Sequence, residues 1–325
     1  MSFENPWVHG LVLGLIIANV SLGVTGYSIW FERKFAGRMQ SRPGPTVVGP
    51  WGLLQPIADV LKLMQKEDII PASADKGLYN LAPPLTVFFV LSTLAVIPVA
   101  PGWIVADLHI GILFALALGS LGVFPVWMAG WASNNKYALL GGMRSAAQSI
   151  SYEIPLLLSA TVPIILADSF RISDIVEAQL GGHWFAFWPP GPGMAAFVLF
   201  FLCSLAESNR IPFDIPEAES ELVSGVSTEY SGMKFGLFQL AEYLHTFIIS
   251  LTAAALFFGG WDGPGDNDGF VWMAIKTLTI FVGIFWIRWS YMRYRSDQLM
   301  AICWKFFLPL GLALVMFSAL WVHWA

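Results

Sequence analysis

A chain of 325 residues with a net charge of −5, 56% hydrophobic and only 12% charged residues lies far from the roughly 25% charged of a soluble globular domain. Its mean hydropathy of +0.65 predicts an all-α polytopic membrane protein and argues against a soluble enzyme. Cys203 and Cys303 stand singly in apolar or aromatic surroundings without CxxC spacing, which indicates neither a disulfide framework nor a metal site. A glycine-rich phosphate loop is absent from the sequence, so nucleotide binding has no support.

A hydrocarbon core of about 30 Å needs roughly 20 apolar residues per helix. This rule predicts eight spans, at 8–30, 78–100, 108–131, 154–167, 195–205, 236–260, 270–289 and 301–324. The start, MSFENPWVHG, lacks the positive region of a secretory signal and reads as the entry to the first span. The fourth and fifth spans are short. They reach membrane length only if Tyr152 and Glu153 at one end, and Ala206 and Glu207 at the other, enter the bilayer near its edge.

Of the 17 lysines and arginines, all but Arg171 and Lys276 fall in the loops after spans one, three, five and seven or, as Arg288 and Lys305 do, at the span ends that border them. By the positive-inside rule those loops face the cytoplasm, and with eight spans both termini lie outside. The opposite loops carry turn chemistry at Pro101-Gly102, across 189–193 and at Gly263-Pro264-Gly265. The whole chain, 1–325, reads as a single membrane domain with a long first cytoplasmic loop over 31–77 and an acidic cytoplasmic loop over 206–235.

The first loop opens with Glu32-Arg33-Lys34 and bends through Pro43, Gly44, Pro45, Gly49 and Pro50. Beyond the bend Leu54, Ile57, Ala58, Leu61 and Met64 recur at helical spacing, while Gln55, Asp59, Lys62 and Lys66 take the other face. The pattern predicts an amphipathic helix on the cytoplasmic membrane surface, with Pro56 near its start. Such a helix serves as a peripheral anchor, or its apolar face lines an entrance for a lipid-soluble ligand.

The second loop concentrates acids, with Glu207, Asp214, Glu217, Glu219, Glu221, Glu229 and Glu242 set against Arg210 and Lys234. An ionisable group at membrane depth costs about 2.5–3.5 kcal/mol even on lenient insertion scales. Asp214 and Glu217 have the form of an N-cap and its capping-box partner. That leaves Glu219 and Glu221 unexplained, and Glu217 and Glu221 repel at i,i+4. A solvated acidic run is the ordinary reading. The apolar flanks Ile211-Pro212-Phe213 and Leu222-Val223 favour a half-buried loop in which close carboxylates exchange protons near neutral pH. Glu153 and Glu242 read as acids at helix ends facing the same side. His245, one turn beyond Glu242, is a packing histidine or its partner.

Several long, irregular motifs extend the argument. They are ERKFAGRMQSRPGPTVVGPWGLLQPIADVLKL from Glu32, GWASNNKYALLGGMRSAAQSISYE from Gly130, ESNRIPFDIPEAESELVSG from Glu207, EYSGMKF from Glu229, and RYRSDQLMAICWKFFLP from Arg293. In this order they resemble the H-subunit family of the proton-pumping NADH:quinone oxidoreductase, respiratory complex I, which includes mitochondrial subunit one. The resemblance covers essentially the whole chain. It implies eight spans, no redox centre or bound cofactor, quinone as substrate, and residence in the bacterial inner membrane. It further implies contact with the quinone-module subunits of the peripheral arm, including the one with the terminal iron-sulfur cluster, and with small membrane subunits. By motif match Glu32, Arg33, Lys34, Arg38, Arg42, Gln55, Asp59 and Lys62 belong to the quinone chamber and its entry. Asp214, Glu217, Glu219, Glu221 and Glu229 form the loop that senses quinone chemistry. Glu153, Glu207 and Glu242 begin a chain of carboxylates toward the pumping subunits.

Two positions depart from the family pattern. Pro125 sits inside the third span, where loss of a backbone hydrogen bond predicts a kink, and Lys234 stands where arginine is frequent. Three rival readings are a membrane component of an energy-converting hydrogenase or formate hydrogenlyase, a stand-alone transporter, and a scaffold without chemistry. The unbroken PFDIPEAESELVSG run and the ERK and RPGP segments disfavour the first, and charges gathered at one face disfavour the second.

Overall fold

A computed structural model describes residues 6–188, 191–216, 222–263 and 269–324. Among them the chain is helical apart from turns and an isolated bridge between Ala100 and Trp103. Helix α1 spans Pro6–Met39, α2 Gln55–Gln65, α3 Lys76–Thr93, α4 Gly111–Leu121, α5 Val123–Ala132 and α6 Lys136–Ala167. Then come α7 at Ile172–Glu177, α8 at Pro192–Glu207, α9 at Gly232–Phe257, α10 at Phe270–Ser290, α11 at Ser296–Ile302 and α12 at Leu308–Trp324.

Seven of these segments are long and apolar enough to cross a membrane, with α4 and α5 forming one and α11 and α12 another. The remaining predicted span is α8, of 16 residues. At 1.5 Å per residue it reaches about 24 Å, less than a roughly 30 Å hydrocarbon core. The expected count of eight is therefore met only if α8, an apolar helix of lesser length, also spans.

Boundaries differ in an instructive way. α1 continues to Met39, so Glu32, Arg33, Lys34 and Arg38 stand on a helix and not in the loop expected from residue 31. α6 begins at Lys136, with Asn135 as an N-cap accepting from the Tyr137 amide at 2.9 Å. Its polar first half stays helical because Ala138, Gly141, Gly142, Ser145 and Gln148 are buried against neighbours. Glu153 is consequently in the middle of α6 and Glu242 inside α9, neither of them in a first helical turn. The kink expected at Pro125 is present as a break at Gly122 between α4 and α5. Pro125 has no N–H to offer the Leu121 carbonyl, which loosens the turn before it.

α9 is the axis of the bundle. Its membrane window is 78% buried, well above the 50% of α6, which places anything polar on it inside protein. It packs on α3 and α10, while α6 packs on α5, α8 and α12. At the end of α9 away from Glu242, Gln179 is fully buried and donates to the carbonyls of Ala255 and Leu256 at 3.1 and 3.2 Å. Lys276 donates to the carbonyls of Phe258 and Asp262, both at 2.6 Å. These bonds satisfy carbonyls that the helix end leaves open. The turn expected at Pro101-Gly102 is present, with Gly102 at φ +73°. Residues 189–190 and 264–265 of the other two turns lie outside the described residues.

α5 and α6 approach closely at Gly130, where a β-carbon would lie 2.6 Å from the Ala138 carbonyl oxygen. Gly130→Ala is predicted to lower stability by about 1–3 kcal/mol through overpacking. Gly23, whose added β-carbon would meet nothing within 4 Å, supplies the control: Gly23→Ala leaves stability unchanged or raises it slightly. Thermal unfolding of the detergent-solubilised protein separates the two variants.

Candidate functional site

The site forms where α1, α9, α10 and the segment after α8 meet. Arg210 follows the end of α8, and its side chain has no exposed surface. Taking a guanidinium out of water is stabilising only when anions and other partners surround it. Glu242 of α9 lies 3.0 Å from its Nε, and Glu32 of α1 lies 3.6 Å from its Nη1. The ring of Tyr243 covers its face at 4.0 Å, a cation-π contact. Arg288 of α10 reaches Glu32 at 2.7 Å, with Tyr243 and Trp289 beside the same carboxylate. The Arg210 and Arg288 nitrogens meet these carboxylates without hydrogen-bond alignment, so ion pairing and not directed bonding holds the group. Burial works against the Arg210 charge, but Glu242 foremost, then Tyr243 and Glu32, outweighs it and holds the guanidinium above its ordinary value. It is a permanent cation between two buried acids.

One further acid of the predicted set, Glu207, faces a cavity that Glu242 of this group also lines. Glu207, the last residue of α8, lies 3.6 Å from the ring of His245 on α9. The cavity holds about 120 Å³ of water-accessible space and is lined by Ser145, Ser149, Glu207, Asn209, Glu242 and His245 among others. Gly119 of α4 makes room for Glu207, since a β-carbon there would sit 2.9 Å from its carboxylate oxygen. Next to it, Ser120 donates a short hydrogen bond to Glu153 of α6. His245 is thus placed against Glu207, although the sequence suggested Glu242 as its partner.

The segment between α8 and α9 is anchored from several sides. Gln148 of α6 donates to the carbonyls of Ala206 and Phe213 at 2.6 and 2.7 Å. Asp214 pairs with Arg293 at 2.9 Å, and Phe213 stacks on Tyr294. Glu229 accepts from Asn135 at 2.5 Å, while its carbonyl accepts from the Tyr79 hydroxyl at 2.7 Å. Lys234, the departure from arginine, pairs with Asp68 at 2.7 Å and lies over the Tyr79 ring. Glu217, Glu219 and Glu221, with the capping box expected for Asp214 and Glu217, lie outside the described residues.

The residues of the first loop divide. Arg33 pairs with Asp59 at 2.6 Å, and Gln55 donates to the same carboxylate at 3.0 Å, which docks the polar face of α2 onto α1. The other face of α2 is open, with Ile57, Leu61 and Met64 more than half exposed. Arg38, Arg42 and Lys62 are exposed and Lys34 half-buried, and none of them joins the Arg210 group in the described contacts. Arg210, Arg288, Asn135 and Gln148 were not singled out as site residues by sequence reasoning. Arg210 alone carried a signal, as one of only two cations inside the acidic stretch.

Comparison with known proteins follows the same residues. The family model described as NADH dehydrogenase matches residues 11–319. The chain is 48% identical over 313 residues to the H subunit of NADH-quinone oxidoreductase from Dehalococcoides mccartyi strain 195, covering 96% of this chain and 87% of that one. It is 48% identical over 304 residues to the protein of that name from Rhodospirillum rubrum, covering 92% and 89%. With the Aquifex aeolicus protein of that name it shares 44% over 323 residues, 95% of each chain. The multi-pass helical fold, the polar motifs and these extended matches agree: the chain belongs to the NADH dehydrogenase family.

Proposed function

We propose that this chain is a membrane subunit of NADH-quinone oxidoreductase, respiratory complex I, that walls the quinone chamber and couples quinone reduction to proton translocation. The observation that carries this reading is the ion group Glu32, Arg210, Glu242 and Arg288, whose Glu242 also lines a cavity with Glu207 and His245. The names of the relatives, all of them components of NADH-quinone oxidoreductase, support the complex. A buried carboxylate string has a steep electrostatic response, because each charge change alters its neighbours in low dielectric.

The roles are those that the motif resemblance implies. Glu32, Arg33, Lys34, Arg38, Arg42, Gln55, Asp59 and Lys62 form the chamber wall and entry, with the apolar face of α2 toward lipid at the mouth. Asp214, Glu217, Glu219, Glu221 and Glu229 make the loop that responds to quinone. Glu242, Glu207 and Glu153 carry the response inward. Quinone takes up protons with its electrons as it becomes quinol. When acids near the chamber supply those protons, the site becomes more negative and the balance of Arg210 between Glu32 and Glu242 shifts. The chain itself holds no redox centre and binds no cofactor; electrons reach quinone from the peripheral arm. Val47, at 92% exposed, and Trp51, at 76%, crown the tip of the first loop and fit a surface covered by that arm. By the positive-inside rule this face lies in the cytoplasm, and with α8 as an eighth span both termini lie outside the inner membrane.

A photoreactive quinone analogue tests the chamber. In native membranes, label on peptides carrying residues 32–62 or 214–229 that excess quinone removes is the expected result. Absence of competable label in an intact complex contradicts it and points to the hydrogenase-type reading. A charge cycle tests the buried group. Arg210→Met strands Glu242, leaves Glu32 with Arg288 alone, and is predicted to destabilise the assembled complex by about 3–5 kcal/mol. The double variant Arg210→Met, Glu242→Gln recovers about 1 kcal/mol or more of that loss, measured as retention of the assembled complex during heating.

A further inference from the structure

His245 has no part in the roles above, yet it occupies the gap between two of the acids. It sits one turn after Glu242 on α9, and its Nε2 faces Glu207 of α8 at 3.6 Å. Both carboxylates and the ring line the same cavity, whose 120 Å³ of water-accessible space is well above the ~10–15 Å³ that a single water needs. The polar side chains of Ser145 and Ser149 on α6, Asn209 after α8, and Gln239 on α9 complete the lining. Among the described residues, the ionisable side chains that line the cavity with the ring are Glu207 on α8 and Glu242 on its own helix. Arg210 stands behind Glu242, and Glu153 of α6 is reached through Ser120 of α4. From α3 only Thr86 and Val90 reach the cavity.

We propose that His245 is a proton-transfer residue between Glu242 and Glu207. The inference rests on the carboxylate reading given above and adds a member to it. An imidazolium at His245 releases its Nε2 proton through a cavity water to the Glu207 carboxylate, 3.6 Å away, breaking the N–H bond and forming an O–H bond. The neutral ring then regains a proton from the carboxylic acid of Glu242 through cavity water. That leaves Glu242 as an anion facing Arg210, and the reverse sequence returns the proton. Histidine suits this gap because an imidazole can release a proton from one ring nitrogen and take one up again.

The test compares His245→Gln with Glu207→Gln in the assembled complex, following quinone-linked proton translocation against pH. His245→Gln keeps a hydrogen-bonding group of similar reach and removes the titrating one. Expected is a fall of about tenfold or more in coupled turnover, at the low end of what a positioned proton-transfer group contributes, with one inflection gone from the pH profile. If His245→Gln leaves rate and profile unchanged while Glu207→Gln lowers the rate, the histidine proposal is overturned and the carboxylate reading stands. If both variants behave as the parent, both readings fail. His245→Asn is the second variant should His245→Gln not assemble; the same lost inflection supports the proposal, and a retained one overturns it.

Discussion

The arrangement depends on one constraint, that a guanidinium with no exposed surface be neutralised where it stands. Arg210 meets that constraint by drawing in Glu242 from α9, Glu32 from α1 and the ring face of Tyr243. A buried ion group of this kind is a poor source of net stability, since desolvation offsets much of the attraction. Its value lies in position: three elements are held in the one geometry where the charges cancel.

The consequence spreads along the chain. Because α9 is the most enclosed of the seven long apolar helices, Glu242 and His245 are inside the protein and not at its lipid surface. Because α8 ends at Glu207, its last carboxylate reaches the cavity while the following residues carry Arg210 into the ion group. Gly119 leaves the room that Glu207 occupies. α2 rests its polar edge on Arg33 and leaves its apolar face uncovered, as suits a helix at a membrane surface. The α2 surface, a fixed cation and the acids Glu242 and Glu207 thus follow one another through the protein.

Much of this was legible in the sequence, for physical reasons that differ between elements. Long apolar runs identify spans because lipid requires them, and the period of Leu54, Ile57, Leu61 and Met64 revealed α2. The ends were harder to read: Glu32 and Glu153 looked like loop and edge residues because polarity marks boundaries, yet both lie on helices that continue through burial against neighbours. The acids of the site were recognisable from their cost. Their partners were not, since pairing of Arg210 with Glu32 or of His245 with Glu207 joins residues distant in the chain. Hydropathy also left α8 undecided, and its 16 residues do not by themselves establish a span.

The central claim, that buried carboxylates link quinone chemistry to proton movement, is tested most directly at Glu242. The complex carrying Glu242→Gln, reconstituted in sealed vesicles, would be assayed for protons moved per NADH oxidised. The account predicts that this ratio falls while the complex remains assembled, because the group opposite Arg210 can no longer change its charge. A parental ratio together with a parental rate of quinone reduction would contradict it.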